Sequence, residues 1–191
     1  MMEDFPDYLP NTYDGYYLYP EYKTSHLNPE YTRADEVIAG RESRVFKEAA
    51  EVIKAGKLGD KFHAISDAHA EMMIKVAEAI AFNTLGRFIL IVENNGAIAN
   101  MQDDAMVEVV CELGINGPRP MSVGNIPQFY LGLLVQQVSC EKLLVDAYYE
   151  HSYQKALEAF TLNRLINDAK VARKILDALI EANKGMWPEL K

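Results

Sequence analysis

The spacing of apolar residues changes period twice along this chain, and that change limits the folds open to it. From Arg33 to Lys54, Val37, Ile38, Val45, Phe46, Ala49, Val52 and Ile53 recur at helical spacing, and Gly56 with Gly59 ends the run. Gly40 is the weak point of that helix, since glycine costs a helix interior about 1 kcal/mol. Ser66 or Asp67 caps a second predicted helix, whose stripe of Ala70, Met73, Ile74, Ala77, Ile80 and Ala81 stops near Gly86. The pattern then turns continuous. Residues 87–92 form an apolar run suited to a strand buried on both faces, residues 105–112 a strand interrupted by Glu108 and Glu112, and residues 121–123 a shorter strand after the Asn116-Gly117-Pro118 turn. Helical spacing returns over 127–149, as a mostly buried helix, over 152–160, and after Asp168, where Val171, Ile175, Leu179 and Ile180 face inward and Asn183-Lys184-Gly185 closes the helix. The expected fold is α+β, with helices packed on a small, mainly antiparallel sheet in one domain.

Charge narrows the function. With 28 acidic against 19 basic side chains, a net charge of -9 and a pI near 5.0, the chain lacks the basic face that nucleic acid or an anionic membrane requires. Cys111 and Cys140 stand alone, without a CxxC or a neighbouring histidine, and read as reduced thiols. No apolar run approaches the roughly 18 residues of a membrane span, and residues 1–6 carry no secretory h-region, so the expected compartment is the cytoplasm. His69, between Asp67 and Glu71, reads as a solvated helix residue. There is no GxGxxG, P-loop, HExxH or GxSxG.

The proline-bearing residues 1–32 read as irregular. Residues 9–20 with 28–33 hold five of the 11 tyrosines, and Arg33 follows Tyr13 by 20 positions. Such a cluster either covers a hydrophobic face or supplies phenols for proton transfer, with a guanidinium to bind an anionic ligand.

Leu9-Pro10-Asn11-Thr12-Tyr13, Tyr16-Tyr17, Asn28-Pro29 and Thr32-Arg33-Ala34 resemble the C-terminal half of glycoside hydrolase family 4. So do the block from Ile91 to Asn100, the blocks 105–109, 116–118 and 123–129, and the ending Glu181-Ala182-Asn183-Lys184 with Trp187-Pro188-Glu189-Leu190. The likeness is colinear and covers nearly the whole chain, and it is strongest to members that hydrolyse 6-phospho-α-glucosides such as maltose 6'-phosphate. One departure is Val110, where such members carry proline; it affects strand geometry.

The resemblance implies that residues 1–191 are a C-terminal substrate-binding and catalytic domain, related in fold to the C-terminal domain of lactate dehydrogenase-like proteins. In the family, a Rossmann half binds NAD and supplies the ligands of a divalent metal, usually Mn2+; those motifs are absent here, so no cofactor or metal residue is assigned, and the chain alone is expected to be inactive. The reaction it implies is an oxidation–elimination: NAD takes hydride from sugar C3, a base removes the acidified C2 proton, the metal steadies the enediolate, the glycosidic oxygen leaves, water then adds back and the hydride returns to C3. The motif position of the base is Tyr13, and that of a substrate-binding arginine is Arg33. A free phenol, with a pKa of about 10, needs a neighbouring metal or cation to act near neutrality. Glu93-Asn94-Asn95-Gly96 reads as a turn held by asparagine side chains. The implied substrate is a phosphorylated disaccharide, and a homo-oligomer is expected, paired through the apolar face a missing half would cover. The alternative is a stand-alone, non-catalytic module for sugar-phosphate binding or self-association.

Overall fold

The computed structural model describes residues 3–6, 11, 13–57, 68–166 and 168–191. They group into two compact units: Met1–Pro20 with Ile89–Val110 and Pro120–Lys191, and Glu21–Phe88 with Cys111–Arg119. The α+β reading holds. Helices α1 (Asp14–Leu18), α2 (Pro20–Ser25), α3 (Arg33–Ala55) and α4 (Ala68–Phe82) precede strands β1 (Gly86–Glu93), β2 (Met106–Gly114) and β3 (Gly117–Pro120). Helices α5 (Gln128–Glu150), α6 (Tyr153–Leu162) and α7 (Ala169–Ala182) follow. The strands form one antiparallel sheet in the order β1-β2-β3. Among the described residues, no helix is long and apolar enough to cross a membrane.

Local chemistry accounts for several boundaries. Gly56 ends α3 in the left-handed conformation at φ 68°, with its N–H bonded to the Val52 and Ile53 carbonyls. Gly40 falls where an added Cβ would meet nothing, so its cost is that of propensity alone. Ser152 caps α6 through the Lys155 N–H, and Asp168 caps α7 through the Lys170 and Val171 N–H groups at 2.7 and 3.1 Å. The expected caps of α4, Ser66 and Asp67, lie outside the described residues.

Other expectations are corrected. Residues 1–32 are not wholly irregular: an Asn11–Asp14 turn starts α1, and Pro20, whose fixed φ suits a first helical position, starts α2. Helix α4 ends at Phe82 rather than near Gly86, because Asn83 and Leu85 both take positive φ. Strand β1 is not buried on both faces; it sits at the sheet edge, with Ile89 and Ile91 exposed. In β2 the acidic residues do not break the strand. Val107, Val109, Cys111 and Leu113 are buried while Met106, Glu108 and Val110 are exposed, a period-two alternation. The third strand falls at 117–120; Met121 N–H still donates to the Val110 carbonyl of β2 at 2.8 Å, and the chain leaves the sheet after it. Helix α5 buries only Val138, Cys140 and Ala147, leaving Leu144, Val145 and Tyr148 exposed. Helix α7 is rotated by one position: Ala172 and Leu176 are buried, Val171 and Ile175 are exposed, and Leu179 and Ile180 are half-buried.

That rotation follows from the small residues. Ala147 on α5, Ala156 on α6 and Ala172 on α7 form one core with Leu157 and Leu176, and side chains this short let helices approach closely. Tyr153, Phe160, Ile166, Ile180 and Leu190 pack against it. A fully buried leucine such as Leu176 contributes about 1.5–3 kcal/mol.

The segment between β1 and β2 is organised by one buried amide. Asn94 is 0% exposed. Its Nδ2 donates to the carbonyls of Ile98, Met101 and Gln102 at 3.0, 3.1 and 3.1 Å, and its Oδ1 accepts the Ile98 N–H at 2.7 Å. The asparagine-held turn read from the sequence is thus a closed loop, with Gly96 at φ 81°. The loop grips the segment that leaves the sheet: Val123 N–H donates to the Ala97 carbonyl, Ala99 N–H to the Gly124 carbonyl, and the Asn100 amide exchanges two hydrogen bonds with the Ile126 backbone. Gly124 takes φ 76° there, a left-handed conformation that glycine adopts without strain.

Asn94→Asp is nearly isosteric but turns carboxylate oxygen toward three carbonyls. It should lower unfolding free energy by about 3 kcal/mol or more, at about 1–3 kcal/mol for each buried group left unpaired; thermal denaturation followed by circular dichroism measures this as a lower melting temperature.

Candidate active-site residues

Tyr13 stands immediately before α1. Its carbonyl accepts the Tyr16 N–H at 2.9 Å and its own N–H donates to Asn11 Oδ1 at 3.0 Å. Asn11 N–H donates to Asp14 Oδ2 at 2.6 Å, while Asp14 N–H returns to the Asn11 carbonyl at 3.1 Å. The backbone at Tyr13 is therefore fixed on both sides by short-range hydrogen bonds. The residue is 69% exposed, so its side chain is not sealed in packing. Leu9, Pro10 and Thr12 of the same motif lie outside the described residues.

The surroundings of α1 come from distant parts of the first unit. Phe5 stacks on Phe129 of α5, with ring centroids 5.2 Å apart, and the Tyr19 hydroxyl donates to the Asp4 carboxylate. That bond raises the Tyr19 phenol above its ordinary value, because the carboxylate holds the proton in place. A cavity of about 310 Å³ lies between α1 and α5, lined by Asp14, Tyr17, Leu18, Leu133, Gln137 and Arg164 among others. Arg164 Nε donates to the Tyr17 carbonyl at 2.8 Å. Nothing in the sequence, at a separation of 147 residues, signals that contact.

Arg33 is the first residue of α3, in the second unit. Thr32 caps the helix in a full capping box: Asp35 N–H donates to Thr32 Oγ1, and the Thr32 N–H and hydroxyl donate to Asp35 Oδ2 at 2.8 and 2.6 Å. The positive end of a helix disfavours a guanidinium, and Glu36, one turn on, offsets this through an ion pair with Arg33. The Arg33 side chain is 76% exposed, with Nη1 engaged by the Glu36 carboxylate. Tyr13 and Arg33 thus belong to different units, each held at a helix start by its own local hydrogen bonds.

Among the described residues, no group of three His, Cys, Asp or Glu side chains is placed to hold a metal ion. Cys111 and Cys140 are free and buried, and burial pushes both thiols up, away from the reactive thiolate. His69 is exposed on α4.

A domain of α+β build that carries a tyrosine and an arginine at two exposed helix starts has close counterparts. Residues 1–166 match the Family 4 glycosyl hydrolase C-terminal domain, and the chain belongs to that family. It is 53% identical over 187 residues to a maltose-6'-phosphate glucosidase of Fusobacterium mortiferum, covering 97% of this chain and 42% of the relative. A crystal structure of a 6-phospho-alpha-glucosidase from gut microorganisms, in complex with NAD and Mn2+, matches with a TM-score of 0.93 at 84% identity. Another, in complex with NAD and glucose-6-phosphate, matches with a TM-score of 0.90 at 49% identity. Both matches cover 100% of this chain and 43% of the other. The chain spans less than half the length of these relatives.

The capping box makes α3 sensitive to acid. Its hydrogen bonds from Thr32 hold the Asp35 carboxyl below the usual carboxylate range. A depressed pKa in the folded state means that this support is present above the ordinary aspartate value and is lost as pH falls through the lowered one. Backbone carbon shifts of Arg33–Glu36 should therefore move toward coil values on acidification, while Asp35→Asn should start less helical at neutral pH and show no such acid transition.

Proposed function

We propose that residues 1–191 form the substrate-facing, catalytic C-terminal domain of a 6-phospho-α-glucosidase acting on 6-phospho-α-glucosides such as maltose 6'-phosphate. The observation that carries this reading is the match of this whole chain, at 84% identity, to 43% of a 6-phospho-alpha-glucosidase. Tyr13 is the general base that removes the proton from C2 of the sugar ring, and Arg33 binds phosphate or sugar oxygens through paired donors. The open ring of Tyr13, on a backbone fixed by Asn11 and Tyr16, suits a base that must reach a carbon-bound proton.

The relatives' NAD and Mn2+ do not fit the residues present. The described residues include no cluster that could hold a divalent ion, and the sequence has no glycine-rich phosphate-binding turn. The parent enzyme is taken to use both groups, held by residues outside this chain, and the chain alone is inactive. The same reading puts the protein in the cytoplasm, where thiols such as Cys111 and Cys140 stay reduced.

One feature favours a second reading, self-association without catalysis. Helix α3 buries no residue along its length, and Ile38, Val45, Phe46 and Ile53 are exposed on it. An apolar surface of this kind marks an interface with another chain or domain.

One experiment separates the readings. This chain is mixed with a separately produced N-terminal half of the gut-microorganism 6-phospho-α-glucosidase, NAD, Mn2+ and a nitrophenyl 6-phospho-α-glucoside. Turnover is expected from the mixture and from neither part alone; Tyr13→Phe should lose it by at least about a hundredfold, in the range of general-base effects, and Arg33→Ala should raise KM. An inert mixture, together with phosphosugar binding and self-association by the chain alone, supports the second reading. Normal turnover by Tyr13→Phe overturns the base assignment.

A further inference from the structure

A five-residue helix has no stability of its own, because a single turn fixes its backbone for very few hydrogen bonds. Helix α1 has this length and no side-chain cap at its start. The ring of Tyr13, 69% exposed, is not aimed by packing around it, so its direction depends on the backbone of the turn that leads into α1. The Asn11–Asp14 turn fixes the backbone of Tyr13 relative to α1, so whatever holds α1 in the unit also places Tyr13.

Arg164 meets that need. Its Nε donates at 2.8 Å to the carbonyl of Tyr17, in the last turn of α1, where helix carbonyls lack partners of their own and positive charge is favoured. The residue is itself rigidly mounted. It lies in the turn between α6 and α7, where Leu165 N–H donates to Asn163 Oδ1 and Ile166 N–H to the Asn163 carbonyl, both at 2.9 Å. Gln136 of α5 donates to the Leu162 carbonyl at 2.8 Å, tying that turn to the long helix. The turn also continues into the packed core through Ile166. A guanidinium on this mount ties the far end of α1 to the turn that joins α6 to the core through Ile166.

We propose that Arg164 is a positioning residue for the reaction: by holding the Tyr17 carbonyl it fixes α1 and, through the turn at Asn11–Asp14, the direction of the Tyr13 phenol. This inference rests on the reading of Tyr13 as the base. Arg164 itself touches no reacting atom. A misplacement of about 1 Å at a reacting group can cost a hundredfold in rate, so the effect belongs in kcat.

The test pairs two measurements on Arg164→Gln and Arg164→Lys. In the 191-residue chain alone, amide hydrogen exchange at Tyr16–Tyr19 should speed up about tenfold or more in Arg164→Gln, with α5, α6 and α7 unchanged, and Arg164→Lys should restore part of the protection. In the mixture with the N-terminal half, NAD, Mn2+ and the nitrophenyl phosphoglucoside, Arg164→Gln should lower kcat by roughly ten- to a hundredfold, with KM within about twofold of wild type and partial recovery in Arg164→Lys. Unchanged exchange at Tyr16–Tyr19 overturns the proposal, as does faster exchange with unchanged kcat. Faster exchange throughout α5–α7, or a rise in KM equal to the loss in kcat, makes Arg164 a general structural residue and also overturns it. If Tyr13→Phe turns over normally, or the wild-type mixture is inert, the base reading has failed and this inference falls with it. If Tyr13→Phe is dead while Arg164→Gln keeps its kcat, only the positioning role has failed.

Discussion

The first unit depends on a single side-chain amide removed from water. The Asn94 amide uses both donors, shared among three carbonyls, and accepts the Ile98 N–H inside the 94–105 loop, and no other residue type could supply donors to clustered carbonyls and that acceptor in the same volume. From this point order passes along the chain. The closed loop offers Ala97 and Ala99 to the segment at 123–124, and Asn100 clasps Ile126 just before Pro127 and α5. The start of α5 then receives Phe5, its middle lines the cavity beside α1, and the turn beyond α6 pins α1 through Arg164. Tyr13 stands at the end of that sequence of contacts, about eighty residues before Asn94 in the chain but held by the framework that Asn94 begins.

The two proposed functional groups are presented by the same device. Each lies at the start of a helix whose first turn is fixed by a short-range hydrogen-bond motif, the Asn11–Asp14 turn for Tyr13 and the Thr32–Asp35 capping box for Arg33. In both, the backbone is restrained while the side chain stays exposed, that of Tyr13 to solvent and that of Arg33 in an ion pair with Glu36. A ligand anion at Arg33 therefore competes with a carboxylate one turn away.

Much of this was legible in the sequence. Helices α3, α5, α6 and α7 followed from periodicity, with Gly56 marking the end of α3 and Asp168 the cap of α7; the caps Thr32 and Ser152 are just as local but lie outside the apolar pattern that marked those helices. The turn at 93–96 was legible as a turn, though not as the buried centre of a loop, since burial depends on what the rest of the chain brings over it. Face assignments failed where neighbours decide them. Apolar content alone could not tell that β1 would be an edge strand, or that α7 would turn Ala172 rather than Val171 toward α6, which is a matter of which side chains are short enough to admit a neighbouring helix. Tyr13 and Arg33 came from family likeness and not from any periodicity. Arg164 was invisible, because its partner is a backbone carbonyl 147 residues away and a carbonyl leaves no mark in sequence.

The proposed aim of the Tyr13 phenol at a carbon-bound proton is tested most directly by solvent isotope at that carbon. When the chain and the complementary half hydrolyse a 6-phospho-α-glucoside in heavy water, mass and proton spectra of the released glucose 6-phosphate report whether C2 has exchanged. The account predicts deuterium at C2 with wild type, and with Tyr13→Phe neither label nor product. Hydrolysis that leaves the C2 hydrogen in place, or Tyr13→Phe product labelled as fully as wild type, would contradict it.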